Sequence, residues 1–152
     1  MLWQKRLGIT EFEGFVEPMG DICGEFGLGR YGYIDNPKAM SDFLPYVKAQ
    51  LNSKGLRYYY AGKKVSKLAV IGGSGGSEME LAVKLGCDTL VTADVKYDVF
   101  LNAAEYELNL IDADHFCTEN VITPVLSKNL SNKFPEIEVR ISKIHSQTVS
   151  FY

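Results

Sequence analysis

From Lys67 onward the chain alternates between short apolar runs and helix-patterned segments, and this rhythm restricts the fold more than any single motif. "KLAVIGG", "DTLVTAD" and "LNLIDAD" are continuous apolar runs rather than in–out alternations. That is the pattern of strands buried on both faces. "SEMELAVKLG" reads as a helix opened by the capping box Ser77-x-x-Glu80 and closed by Gly86. "VKYDVFLNAAEYE" reads as a second, with Val95, Val99 and Ala103 on one side. A third spans roughly 115–133, and "EIEVRISKI" predicts a fourth strand before a short final "TVSFY". The succession predicts an α/β fold, a mostly parallel sheet with helices on both faces.

Upstream the pattern is less regular. Residues 1–36 form an irregular N-terminal segment ahead of the α/β region, 37–152. "MLWQKRLGI" suits a short amphipathic helix stopped by Gly8, with no room for an N-cap before it. The Gly- and aromatic-rich stretch 11–36 has no sustained period and suits short strands and turns. Asn36–Pro37 marks a turn. Ser41 then caps a helix through about Asn52, where Pro45 is tolerable near the first turn. "RYYYAG" suits a strand, and 54–66 is the one weak linker candidate.

With 152 residues, the chain suits a single domain or a fragment of a longer one. Its formal net charge is −3 and no basic run stands out, so nothing points to nucleic acid or an anionic membrane. No apolar run approaches membrane-spanning length, and no signal-peptide pattern opens the chain. Cys23, Cys87 and Cys117 are odd in number and lack CxxC spacing, which fits reduced thiols in the cytoplasm.

In open α/β sheets, ligands bind beyond the carboxyl ends of parallel strands. Three such ends fall in consecutive units: the Gly loop 72–76, Asp94, and the group Asp112, Asp114 and His115. Gly73, Ser74, Gly75 and Gly76 are candidates to cradle an anionic group at a helix start. No Gly-Lys-Ser/Thr follows, however, and Glu78 stands where a dinucleotide fingerprint needs Gly or Ala. A tight, closely packed turn fits the loop as well.

His115 and Glu119 are spaced i, i+4, which puts an imidazole and a carboxylate on one helix face, where they can hold one transition-metal ion or contribute to a pair. The competing reading is a helix start decorated with capping acids and a solvated histidine; Asp94 suits a simple N-cap too. Asp112 and Asp114 share one side of their strand. Cys117 suits packing, and His145 a structural or exposed place.

The combination "AVIGGSGGS … LGCDTLVTADVKY … LNLIDADHFCTEN" resembles the C-terminal half of the Nif-three-like family, whose members are often called type 2 homologues of GTP cyclohydrolase 1. The resemblance runs through about 66–152, and more loosely through "GLGRYGYI" and the 37–52 helix. In that family the His and Glu of Asp-Ala-Gly-His-x-x-x-Glu bind a dinuclear metal site, which implies His115 and Glu119 as ligands. Asp94, Asp112 and Asp114 would then orient them. Two divalent ions per complete site are implied, with Zn, Mn, Fe and Mg not distinguished. Asp114 departs from the family's usual Gly, and Asp98 from a frequent His. The His-His-Pro motif that supplies further ligands is absent, so the chain is expected to hold a metal half-site completed by a missing N-terminal half. The resemblance implies a metal-dependent hydrolase forming a homo-oligomer and acting on a small anionic substrate, with this chain alone inactive. The alternative is a non-catalytic metal-binding or ligand-sensing scaffold that works through oligomerisation.

Overall fold

The three apolar runs become adjacent strands at the middle of a six-stranded sheet. The structure, a computed structural model, describes residues 6–14 and 27–152. Its elements in chain order are β1 (Ile9–Gly14), β2 (Gly29–Lys38), α1 (Met40–Leu51), β3 (Arg57–Tyr59), β4 (Val65–Ser74), a 3₁₀ turn (Gly76–Glu78), α2 (Met79–Lys84), β5 (Thr89–Ala93), α3 (Tyr97–Glu105), β6 (Asn109–Asp112), α4 (His115–Asn120) and α5 (Thr123–Lys133).

The sheet order is β1-β2-β4-β5-β6-β3. Among the described residues β4–β5 and β5–β6 pair in parallel, and the other three pairings are antiparallel. The expected mostly parallel sheet is therefore corrected to a mixed, mostly antiparallel one. The reason lies in segments with weak periodicity. Part of the Gly- and aromatic-rich region supplies β1 and the ten-residue β2, and "RYYYAG" supplies β3 on the far edge.

Helices do cover both faces. Leu68, Val70, Val91 and Ile111 point toward α1 and α4, packing with Phe43, Val47, Leu51 and Cys117. Their strand neighbours Ala69, Ile71, Leu90 and Leu110 point the other way, onto Met79, Ala82 and Ala103 of α2 and α3. Burial on both sides is what makes these strands read as unbroken apolar runs.

Several local expectations differ. The predicted strand at "EIEVRISKI" does not form: the segment joins no strand of the sheet, and its Ile137, Ile141 and Ile144 stay exposed instead of being buried on one face. The single helix over 115–133 is two, α4 and α5. Pro124 lacks an N–H, and its ring clashes with a carbonyl four residues back. The Ser77–Glu80 capping box is replaced by the 3₁₀ turn, in which the Ser77 hydroxyl donates to the Glu78 carboxylate at 3.0 Å. Helix α1 starts at Met40 without a side-chain cap, so Ser41 is not its cap, and Asn52 ends it in a left-handed conformation. Asn36–Pro37 lies inside β2, where the register with β4 slips, rather than in a turn. Gly8, at φ +69°, ends a helical turn at Arg6–Leu7 as expected; the rest of that helix, and Cys23, fall outside the described residues.

Candidate metal-binding site

The carboxyl ends of β4, β5 and β6 bring Gly73, Asp94 and His115 together, as the order of βα units implies. His115 opens α4, and its imidazole is held on both nitrogens. Nδ1 lies 2.6 Å from Asp94 Oδ2, and Nε2 lies 3.2 Å from Glu119 Oε1 one helical turn on. The hydrogen bond that His115 donates to Asp94, opposed by partial burial, leaves the His115 pKa raised above its ordinary value. Asp94 holds a left-handed conformation at φ +51° and does not cap α3, whose N-cap is Lys96.

The glycine loop passes directly beneath the pair. Gly73 has φ +68°, and a Cβ built there would sit 2.6 Å from Glu119 Oε1 and 3.3 Å from His115 Nε2. Any side chain at 73 would fill the space in front of both groups. Two buried threonines fix the loop. The Gly73 N–H donates to Thr118 Oγ1 at 2.9 Å, and the Gly75 N–H donates to Thr92 Oγ1 at 2.8 Å. Each hydroxyl donates onward, Thr118 to the His115 carbonyl and Thr92 to the Gly73 carbonyl.

The two aspartates at the end of β6 and just beyond it have separate tasks. The Asp112 side chain is 8% exposed and accepts from Arg57 Nη2, from the Val95 N–H at 3.1 Å and from the Asp114 N–H at 3.3 Å. Asp114 caps α4 by accepting from the Cys117 N–H at 3.0 Å, and it also receives the Gln147 amide. Its φ of +73° is the physical reason glycine suits that position in the family it resembles.

Arg57 is a contributor that sequence reasoning missed. It pairs with Asp112 in the β3–β6 register, donates to the Val95 carbonyl at 2.7 Å, and lies over the Phe100 ring at 5.5 Å. With Asp94, Asp112, His115, Phe116 and Phe151 it lines a cleft of about 220 Å³. Its one sequence signal was its place at the head of a strand; the pairing with Asp112 is tertiary.

His145 is exposed, with its ring 5.2 Å from that of Phe116, and Asp98 is exposed in the first turn of α3. Cys117 packs in the core as expected. Burial pushes the Cys117 and Cys87 thiols up to about 11. In a Cys23→Ser variant at pH 8, both are expected to alkylate with iodoacetamide at least about a hundredfold slower in the folded protein than in denaturant. Mass spectrometry of timed samples checks this, and equal rates in the two states would contradict it.

Among the described residues, no group of three or more His, Cys, Asp or Glu is placed to hold a metal ion. His115 Nε2 and the Glu119 carboxylate form a pair of metal-capable groups, while Asp94 occupies the far ring nitrogen. No helix among the described residues is long and apolar enough to cross a membrane.

The family profile for Duf34/NIF3 (NGG1p interacting factor 3) matches residues 2–148. A protein of Staphylococcus aureus strain MRSA252 named GTP cyclohydrolase 1 type 2 homolog is 30% identical over 97% of this chain and 41% of its own length. A homolog of the same name from strain Mu50 is 33% identical over 94% of this chain and 42% of its own. Among solved structures, a Bacillus cereus protein related to NIF3 superposes with a TM-score of 0.76 at 32% identity, covering 83% of this chain and 36% of that one. A hypothetical protein of Staphylococcus aureus gives 0.87 at 25% identity, over 100% of this chain and 63% of that one. The chain thus spans about two-fifths of the length of the curated relatives it matches.

Proposed function

Since the chain belongs to the Duf34/NIF3 family, we propose that it supplies His115 and Glu119 to a divalent-metal centre of a metal-dependent hydrolase. The observation that carries this is the state of His115. Asp94 holds Nδ1, which fixes the ring and leaves Nε2 facing Glu119 across the space that Gly73 keeps clear. A carboxylate on the far nitrogen of a ligating histidine is the usual way to orient the ring and raise its basicity. The donor set fits: an imidazole and a carboxylate suit zinc, manganese or iron. When bound, divalent ions supply Lewis-acid polarisation of a carbonyl or phosphoryl group. The protein's own part is to orient His115 through Asp94, hold the loop with Thr92 and Thr118, and exclude side chains at residue 73.

Two protein ligands are fewer than the three that catalytic zinc sites ordinarily use. We therefore assign the remaining ligands to a polypeptide carrying the family's His-His-Pro half, in a cytoplasmic assembly that completes two ions per site. Calorimetric titration of this chain with zinc or manganese is expected to show weak binding, tightened when that half is added. Tight binding of two ions by this chain alone would overturn the half-site. No binding in either setting would overturn the metal reading.

A non-catalytic scaffold working through homo-oligomers is the second reading, favoured by exposed Ile122, Leu126, Leu130, Ile137 and Ile141. Apolar surface of this kind suits an assembly interface. The readings part on turnover: a metal-loaded full-length assembly with no hydrolytic activity favours the scaffold.

A further inference from the structure

An anionic ligand beside His115 needs hydrogen-bond donors that the protein has not already used. The glycine loop is poor in them, because the amides of Gly73 and Gly75 are spent on Thr118 and Thr92. Arg57 is the opposite case. Both of its hydrogen bonds to protein, to Asp112 and to the Val95 carbonyl, come from Nη2. Among the described residues, Nε and Nη1 donate to nothing. The side chain is 61% exposed although it is anchored, and it lines the same cleft as His115. A guanidinium held in place with donors to spare is preorganised for a carboxylate or phosphate.

We propose that Arg57 is the anion-recognising residue of this cleft, and that the cleft takes a one-ring compound bearing a phosphate or carboxylate. The proposal rests on the metal site for its place in the reaction but not for its own geometry. Phe116 and Phe151, on the same walls, offer apolar surface to the ring. At about 220 Å³, the cleft is smaller than the roughly 300–1,000 Å³ of most small-molecule sites, and its described walls surround about one ring.

Three carboxylates also line the cleft, and each is engaged: Asp94 by His115, Asp112 by Arg57 and the Val95 amide, Asp114 by Cys117 and Gln147. Their charge opposes an anion in the metal-free protein, and a divalent ion at His115 and Glu119 offsets it. Anion affinity is accordingly expected to rise with zinc. Were Arg57 only a strand-end anchor, its replacement by lysine would leave ligand affinity unchanged.

The test titrates the chain, with and without zinc, with phenyl phosphate, benzoate, inorganic phosphate, benzyl alcohol and benzylamine, read by amide chemical shifts. Phenyl phosphate or benzoate is expected to saturate, the tighter of the two naming the anion, and benzyl alcohol is not. Arg57→Lys, which keeps the charge beside Asp112, is expected to weaken anion binding about tenfold while the zinc titration and urea midpoint stay unchanged. Phe151→Ala, which leaves the Arg57–Asp112 pair in place, is expected to weaken phenyl phosphate but not inorganic phosphate. Three results overturn the proposal: no saturation by either ring anion, unchanged affinity in folded Arg57→Lys, or benzylamine binding more tightly than benzoate. Zinc binding without anion binding removes this proposal alone. Arg57-dependent anion binding with no zinc bound, either by the chain alone or with the His-His-Pro half added, removes the metal reading alone.

Discussion

In the protein completed by its His-His-Pro half, His115→Ala and Glu119→Ala are each expected to lower divalent-metal affinity by roughly a hundredfold or more, while His145→Ala leaves it unchanged. Even an orienting partner of a ligand is typically worth ~10–100-fold, and a ligand itself more. His145 is the matched control because its ring contacts Phe116 rather than Glu119. Metal content after dialysis and calorimetric affinity check the result; unchanged stoichiometry in both site variants would remove His115 and Glu119 from the ligand set. The pH dependence has a definite sign. Asp94 raises the His115 pKa, so the imidazolium persists to higher pH than in an ordinary histidine. Because a proton competes with metal for the ring, affinity is lost as pH falls through that raised value. Asp94→Asn is expected to move the loss to lower pH, and also to weaken binding at high pH by loosening the ring.

The second large effect is expected at Asp112. Its carboxylate, 8% exposed, joins three segments: β3 through Arg57, the β5–α3 connection through the Val95 N–H, and the start of α4 through the Asp114 N–H. Asp112→Ala leaves the amide of the buried residue Val95 without its acceptor, while the exposed Arg57 turns to water. An orphaned buried donor costs about 1–3 kcal/mol, and with the weakened Asp114 contact the loss is expected to reach about 2–3 kcal/mol. Asp112→Asn keeps an acceptor oxygen and is expected to recover part of that. Urea unfolding monitors both; a change in Asp112→Ala below about 0.5 kcal/mol, the size of an ordinary surface substitution, would mean that water replaces the carboxylate freely. The same variant is expected to blur the placement of Asp94 and His115, which lie on the segments Asp112 ties together.

How far the sequence could be read follows from the range of the interactions involved. β4, β5 and β6 were legible because burial on both faces writes itself into consecutive residues. The meeting of Gly73, Asp94 and His115 was legible too, since the order of βα units puts their ends on one side. The sheet's overall sense was not. It depends on whether 29–38 pairs with 65–74, and the aromatic and glycine content of that stretch gives no period to reveal it. "EIEVRISKI" misled for the converse reason: its alternation is genuine, but a strand also needs a pairing partner, and this segment pairs with none. Arg57 and Asp112 were invisible as a pair because each looks ordinary in its own segment. Asp114 was visible as an oddity, and its left-handed backbone accounts for it.

Edge strand β3 adds a kinetic dimension to the cleft. It is three residues long, Tyr58 and Tyr60 are half exposed, and its Arg57 meets Asp112 across 55 residues of sequence. A short edge element closed over so long a loop is a low-energy place for local opening, while β4, β5 and β6 stay paired. Amide hydrogens of β3 are accordingly expected to exchange with solvent sooner than those of β5. Each such opening withdraws the guanidinium and leaves Gly73, Asp94 and His115 where they are. The apparent affinity for an anion is then scaled by the fraction of time β3 is docked, so that ligand capture and the fraying of one strand become a single equilibrium.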